Sequence, residues 1–403
     1  MSLRGKRILV GISGGIAAYK IPELIRSLTK AGAEVRVTAT KHALEFVTEL
    51  TLQTVSGSRV YSDVFAAINE HATEHISLPE WCDMLLVAPA TANVLAKMAS
   101  GIADDALTTT ICSCVARKPV IVAPAMNDKM WENPATQNAV DTIRKWQNIR
   151  IVEPDEGPLA CGTNGKGRMA EIDELQEAVE YALAPQTMEG KHVLVTAGGT
   201  QEKIDPVRFV SNYSTGKMGI ALAQACARRG AEVSLVCGAV SAPLRNPFGR
   251  IHPVEALSAQ RMFEACRNEW NKCDMAILSA AVADFTPAEQ APEKIKKHAG
   301  QTEMNLHMTL TPDIAKTLGQ TKQPHQHLIG FALETENEKE NALRKLERKN
   351  LDAIVLNSLR DKGAGFGVDT NRVTLLCRNG KSVELPLLSK QDVAEQILNA
   401  LAF

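Results

Sequence analysis

GKRILVGISGG at residues 5–15 and GKHVLVTAGGT at residues 190–200 are the two stretches that set the fold. Each is an apolar, partly β-branched run closing on a glycine pair. That is the pattern of a buried strand feeding a tight turn into a helix. Each is followed by a helix-period segment and then by the same tetrapeptide, GAEV, at 32–35 and at 230–233, opening a second strand. Gly32 follows Gly5 by 27 residues, whereas Gly230 follows Gly190 by 40. The 13 additional residues fall in or around QEKIDPVRFVSNYST (201–215), at the carboxyl end of a first strand, where α/β sheets bind ligands. The likeness speaks for fold class rather than shared chemistry, since strand, glycine pair and helix make a common α/β unit.

Further strands are predicted at 84–90, 120–126, 149–154, 276–285, 327–333 and 353–357. They alternate with helical patterns at 92–100, 104–116, 216–229, 258–270 and 336–349. The alternation predicts α/β architecture: two doubly wound, mainly parallel-sheet domains. RVTLLCRNGKSVELP (372–386) differs, with two short strands around Asn379-Gly380, a hairpin signal. LAPQTMEG (183–190) is the expected linker, giving domains at 1–187 and 188–403. The chain has 403 residues, 45% of them hydrophobic and 23% charged, enough for each half to bury its own core. A net charge of −1 argues against a nucleic-acid binder that relies on bulk positive charge. No apolar stretch approaches a transmembrane length, and Met1–Lys6 shows no secretory segment. Nine cysteines without a CxxC pair suit reduced thiols in a cytoplasmic enzyme.

In the first half the loop Gly11-Ile-Ser13-Gly14-Gly15 precedes a helix, and the N–H groups of such a loop can hold an anion. It is not the dinucleotide fingerprint: Ser13 stands where the second glycine belongs, and the next strand ends in Thr38-Ala39-Thr40 rather than an acid for a ribose. Hydroxyls fit a terminal phosphate, so the pattern leans to a mononucleotide. By itself the loop fits a plain βα turn equally well. His71-Ala-Thr-Glu74-His75 spells HxxEH, a zinc-protease spacing, but a hydrolytic zinc site also needs a third ligand; a solvated helix face is the simpler reading. Taken alone, the glycine-rich GPLACGTNGKG (157–167) reads as a flexible surface loop with an incidental thiol.

The combination of SGGIAAYK (13–20), EHISL (74–78), APATAN (88–93), PAMN (124–127) and ACG (160–162) resembles the phosphopantothenoylcysteine decarboxylase family of homo-oligomeric, flavin-containing cysteine decarboxylases. The resemblance implies a flavodoxin-like domain binding FMN through Ser13, Gly14, Gly15, Thr40, Thr91 and Asn93. It implies that His75 assists oxidation, Asn127 binds the substrate carboxylate and Cys161 donates the final proton, from a flap that closes over the site. The chemistry is coherent. An acylated cysteine has no free amine for pyridoxal phosphate, whereas a flavin can oxidise its thiol toward a C=S group that accepts the electrons as CO₂ leaves.

In the second half the pieces are DPVRFVSN (205–212), STGKMG (214–219), SAAVADF (279–285), PEKIKK (292–297), TPDI (311–314), GFALET (330–335) and GFGVDTN (365–371). Gly216–Gly219 opens a helix but is not a Walker A loop, since Ser211 and Met218 depart from it. This set resembles the phosphopantothenate–cysteine ligase family, a Rossmann-like fold. The two resemblances in this order match the bifunctional family of coenzyme A biosynthesis. They imply CTP as co-substrate, Mg²⁺ held mainly through its phosphates, and an acyl-cytidylate. Asn212 would support that intermediate. Lys294 and Asp284 would contact the nucleotide with Gly216, Lys217, Gly219, Ala280, Ala281, Pro312, Asp313, Ile314, Ala315 and Phe331. Lys345 and Lys349, at i and i+4, share a helix face and could reach the triphosphate. From the residues alone, both lysines fit an ordinary salt-bridged surface helix, and Lys294 fits a solvated charge run with Lys296 and Lys297. The partners implied are 4′-phosphopantothenate, cysteine and CTP, with no nucleic acid or membrane and with homo-oligomer contacts through both domains.

Overall fold

The structure, a computed structural model, describes residues 3–65, 74–158, 162, 164–298, 301–334, 336–358 and 363–401. The chain divides into two compact units: one runs to Ala184 and includes Arg245–Phe248, and the other begins at Pro185. The break falls inside the 183–190 stretch.

The first unit is built on Arg7–Ile12 (β1), Glu34–Ala39 (β2), Val60–Tyr61 (β3), Met84–Ala90 (β4), Val120–Pro124 (β5) and Ile149–Ile151 (β6). All pair in parallel, in the order β3-β2-β1-β4-β5-β6. Without the two-residue β3, this is the flavodoxin-like order, and its switch point lies between β1 and β4. The helices are Ile21–Lys30 (α1), Glu49–Ser56 (α2), Glu74–Trp81 (α3), Ala92–Ser100 (α4), Ala106–Cys114 (α5), Asp128–Trp131 (α6), Pro134–Arg144 (α7) and Ile172–Leu183 (α8). Side chains alternate across the sheet. Ile8, Val10 and Ile12 enter the core on the α1 and α8 face, and Leu9 enters the core on the α4 and α5 face. Burial on both faces explains why β1 reads as a continuous apolar run. Asp155–Pro158 (β7) and Asn164–Arg168 (β8) form a separate antiparallel hairpin from the glycine-rich segment.

The second unit repeats the plan. His192–Ala197 (β9) and Glu232–Cys237 (β12) are the two strands announced by the repeated motifs, joined by Lys217–Arg228 (α9); Glu202–Lys203 (β10) and Phe209–Val210 (β11) form a small ladder within the 13-residue excess. Then come Ile251–Glu255 (β13), Ala259–Trp270 (α10), Met275–Leu278 (β14), Phe285–Pro287 (β15), Met308–Leu310 (β16), Ile314–Thr321 (α11), His327–Glu334 (β17), Glu338–Arg348 (α12), Ala353–Ser358 (β18), Thr370–Asn371 (β19), Val373–Cys377 (β20), Ser382–Glu384 (β21), Leu388–Ser389 (β22) and Lys390–Ala400 (α13). The main sheet has the order β13-β12-β9-β14-β17-β18-β20-β21. Its first six strands are parallel in the Rossmann order, and the Asn379-Gly380 hairpin adds β20 and β21 antiparallel.

The GAEV repeat has a structural cause. Gly32 and Gly230 take φ of 101° and 97°, and both turn the chain from a helix into the second strand. One strand differs from its sequence reading. The apolar stretch 276–285 is a continuous strand only as far as Leu278, and beyond it a single parallel bridge joins Ala281 to Gly199, with Ala281 N–H donating to the Gly198 carbonyl at 2.9 Å. On either side of that bridge threonine side chains replace backbone partners: Ala280 N–H donates to Thr196 Oγ1 at 3.0 Å, Ala283 N–H to Thr200 Oγ1 at 3.0 Å, and Ser279 Oγ donates to the Thr196 carbonyl at 2.6 Å.

Helices α11 and α12 meet at Gly319, where an added Cβ would sit on the Lys349 carbonyl oxygen. Alanine is intrinsically the better helix former by about 1 kcal/mol. The backbone collision nevertheless predicts that Gly319→Ala lowers stability by about 1–3 kcal/mol in urea unfolding. A stabilised variant would show that the two helices do not pack this closely.

Candidate functional site

In the first unit three turns converge at the carboxyl edge of the sheet. The turn after β1 enters a 3-10 helix at Ile16–Lys20, that after β2 enters another at Lys41–Glu45, and that after β4 enters α4. None of the three has an acidic residue in its first turn, so their N–H ends face the edge with no carboxylate of their own. The approach is close enough to need glycine. A Cβ on Gly14 would lie 2.5 Å from His42 Cβ, and one on Gly15 would lie 3.3 Å from Thr91 Cγ2. Thr40 and Thr91 cap their helices as acceptors, from Ala43 N–H (3.2 Å) and Val94 N–H (3.4 Å). Neither hydroxyl donates to another described residue, so both hydrogens remain for an anion. Ser13 is different. Its buried hydroxyl donates to the Pro89 carbonyl (2.7 Å) and accepts from Thr91 N–H (3.0 Å), tying β1 to β4 across the switch point. The side chain is therefore a brace, and its loop offers backbone groups rather than a hydroxyl donor. Asn93, in the first turn of α4, is exposed.

The acid–base candidates share this edge. Helix α3 runs antiparallel to the strands. Asp83, just past its end, donates its N–H to the Arg7 carbonyl at the start of β1, so the first turn, with half-buried His75, lies at the carboxyl side. Asn127 caps α6, its Oδ1 accepting from Lys129 N–H at 3.0 Å. The hairpin is seated on the same segment. Met126 N–H donates to the Gly167 carbonyl at 2.9 Å, and a Cβ on Gly165 would meet Asp128 at 2.9 Å. Cys161 and His71 lie outside the described residues.

In the second unit a cavity of about 650 Å³ opens at the carboxyl edge. Its lining includes Gly216, Lys217 and Gly219 from α9, Ala280, Ala281 and Asp284 after β14, Pro312, Asp313, Ile314 and Ala315 at the start of α11, Phe331 on β17, and Lys345 and Lys349 on α12. Gly219 lets α9 lie directly on β9, since a Cβ there would be 2.5 Å from Ala197 Cβ. Asp313 caps α11 and accepts from Lys349 Nζ at 2.9 Å. Burial alone would raise its pKa, but Lys349 and the Lys316 N–H outweigh this and hold it below the ordinary carboxylate value. Lys345 pairs with Glu334 at 2.5 Å. Asn212 stands behind the wall, with Nδ2 donating to the Ala281 carbonyl (2.6 Å) and Oδ1 accepting from Ser214 N–H (3.0 Å). Lys294 is exposed and outside the lining. Its neighbour Ile295 is held by buried Asp205 (3.1 Å), which also takes two bonds from the Arg208 guanidinium; these bonds, the guanidinium first, keep the Asp205 carboxyl well below its usual range. Among the described residues no group of three or more His, Cys, Asp or Glu side chains could hold a metal ion.

Residues 1–184 match the flavoprotein family, and residues 188–402 match the family described as DNA/pantothenate metabolism flavoprotein C-terminal domain. The chain is 45% identical over 403 residues to the coenzyme A biosynthesis bifunctional protein CoaBC of Bacillus subtilis, covering 99% of this chain and 97% of that relative. The chain belongs to the coenzyme A biosynthesis bifunctional protein family. The Escherichia coli member is 42% identical over 403 residues, covering 100% of this chain and 98% of that one. A cysteine/cysteine sulfinic acid decarboxylase from an unknown prokaryotic organism is 46% identical over 360 residues, covering 88% of this chain and 98% of that relative. The family assignment spans both units, in the order expected from the motifs.

The cavity also contains residues that sequence reasoning did not single out: Asn357, Phe366, Asn371, Arg348 and Lys390. Phe366 and Asn371 belong to GFGVDTN, a stretch whose composition marks a tight loop but not which way it faces. Lys390 carries no local signal, because it follows an ordinary Ser389 helix cap. No helix among the described residues is long and apolar enough to cross a membrane, and the described cysteines are all free.

The Ser13 brace gives a direct expectation. Ser13→Ala leaves Thr91 N–H without its acceptor, while the Pro89 carbonyl keeps only the Ser13 backbone N–H at 3.3 Å, a loss of about 1–3 kcal/mol. Thermal melting of the full chain should show the transition of the first unit shifted down and that of the second unmoved. Equal melting curves would mean that the brace contributes nothing.

Proposed function

We propose that the chain performs two steps of coenzyme A biosynthesis. The second unit (188–403) joins cysteine to 4′-phosphopantothenate at the expense of CTP, and the first (1–187) decarboxylates the product to 4′-phosphopantetheine. The observation that carries the reading is the 45% identity to a bifunctional relative across both units. Two separate anion-accepting edges support it.

Three helical N-termini and the free hydroxyl hydrogens of Thr40 and Thr91 suit the phosphate of FMN, with the Ser13–Gly15 loop and Asn93 beside them. A bound flavin supplies the electron sink that thiol oxidation and CO₂ loss require. The chain's own groups do the rest. His75, on the first turn of α3, moves the proton in the oxidation step. Asn127, its amide oriented by the Lys129 N–H, binds the substrate carboxylate. The hairpin excludes water and carries Cys161 as final proton donor.

In the second unit a carboxylate must be activated before cysteine can attack it, and an acyl-cytidylate provides the leaving group. The 650 Å³ cavity falls in the range of nucleotide-sized pockets. Lys345 and Lys349, balanced at rest by Glu334 and Asp313, exchange those partners for triphosphate oxygens, with Mg²⁺ accompanying them. The N–H groups at Gly216–Gly219 take phosphate oxygens, Ala280, Ala281, Phe331 and the Pro312–Ala315 turn shape the pocket, and Asp284 stands at its mouth. Asn212 holds the Ala281 turn against the intermediate. For Lys294 to act, the 291–298 segment must close over the cavity. The protein works in the cytoplasm as a homo-oligomer.

Incubation of the full chain with phosphopantothenate, cysteine and each nucleoside triphosphate in turn, followed by mass analysis and CO₂ measurement, should give phosphopantothenoylcysteine only with CTP, then phosphopantetheine. Free cysteine in a parallel arm tests the chemistry named for the cysteine decarboxylase relative. CO₂ from free cysteine with no ligation product would favour that activity and overturn ours. His75→Asn should keep flavin and ligation while slowing decarboxylation about 10²–10⁴-fold. An unchanged rate removes His75 from the mechanism.

A further inference from the structure

Lys390 is the first residue of α13, is only 7% exposed and lines the cavity of the second unit. Its Nζ donates to the Gly365 carbonyl at 3.1 Å and the Val368 carbonyl at 2.5 Å. An ammonium has three donors, so these two bonds leave one. No carboxylate among the described residues comes within ion-pair distance of it. Lys217, the first residue of α9, reaches the same loop: its Nζ donates to the Gly367 carbonyl at 3.1 Å and to Asp369 Oδ1 at 2.6 Å. Asp369 is largely solvent-exposed. Two ammonium groups therefore share a single carboxylate that faces water, and the cavity wall between them carries a surplus positive charge.

Neither placement is explained by folding alone. A buried ammonium without a counter-charge is unfavourable. Both lysines also sit at helix N-termini, the wrong end of the dipole for a cation. Burial first, and Lys217 second, push the Lys390 pKa down, with Asp369 opposing them. The other cavity lysines differ, since Lys345 and Lys349 have their own carboxylates in Glu334 and Asp313. The uncompensated charge is thus localised at the Lys217–Lys390 wall.

We propose that Lys390, with Lys217, forms a seat for a phosphate group of one of the two ligation substrates, whose negative charge complements the surplus positive charge of this wall. The proposal rests on the ligase reading. The shared chemistry is a phosphate oxyanion, and it can come from the nucleotide triphosphate or from the phosphate monoester of the acid. Lys390 contributes its remaining N–H and its charge. The Gly365–Val368 carbonyls hold the ammonium in place.

The test is ligation by the full chain with each phosphorylated substrate varied in turn, for the parent and for Lys390→Met, which removes the charge and keeps most of the unbranched stem. The KM for one substrate should rise at least tenfold while that for the other stays within twofold, and the substrate that moves identifies the source of the phosphate. Inorganic phosphate should compete with that substrate in the parent, with its inhibition constant raised by the same factor in the variant. If Lys390 only straps the loop, the variant melts earlier with both KM values within twofold and phosphate inhibition unchanged, and the proposal is overturned. If Lys390→Met does not fold, Lys217→Met reads the same seat from its other side, with the same expected split. A parent that ligates nothing refutes the ligase reading instead. Calorimetry with inorganic phosphate on parent and variant then decides the seat by itself, and equal affinities refute it.

Discussion

In each unit the first strand is paired in parallel on both sides, β1 by β2 and β4, β9 by β12 and β14. Chain crossovers must then leave the central strand in opposite directions, and no connection covers its carboxyl end. Everything functional follows from that gap. Parallel strands deliver every following helix N-terminus to the same edge, so N–H groups accumulate there, and apolar burial on both sheet faces excludes ligands from anywhere else. Close approach of the turns then demands small residues, which is why glycines and alanines crowd the positions after β1, β9 and β14.

The two edges treat charge differently. In the first unit the three turns carry no acid in their first turns, and two of them use threonine hydroxyls as caps, so the positive potential comes from the backbone. In the second unit it comes from lysines, most of them balanced by a carboxylate. A balanced lysine is already positioned, so binding an anion exchanges one partner for another and orders little that was free. Asp205 works at a further remove. By accepting bonds from Val207, Arg208 and Ile295, it fixes the turn of the added ladder and the segment that bears Lys294.

A relative described as a cysteine/cysteine sulfinic acid decarboxylase is 46% identical over 360 residues, so sequence likeness at this level does not by itself define the substrate.

The sequence by itself determined the strand–helix alternation, the two-unit plan, the added segment at 201–215 and the family, because each depends on local periodicity or on short contiguous motifs. It also indicated the turns that carry Gly14, Thr91, Gly216 and Asp313, since strand ends in parallel sheets are recognisable from composition. Only the tertiary structure decided which groups are free to act. Ser13 reads as a phosphate ligand until its hydroxyl is seen held between Pro89 and Thr91, residues 76 and 78 positions away. The 276–285 stretch reads as one strand until the side chains of Thr196 and Thr200 are seen to take the N–H groups of Ala280 and Ala283, leaving a single bridge at Ala281. Lys390 has no signal at all, because its importance lies in being buried against a loop more than twenty residues upstream with no carboxylate among the described residues within ion-pair distance. Donor occupancy, burial and charge balance are sums over contacts distant in the chain, and no local pattern encodes them.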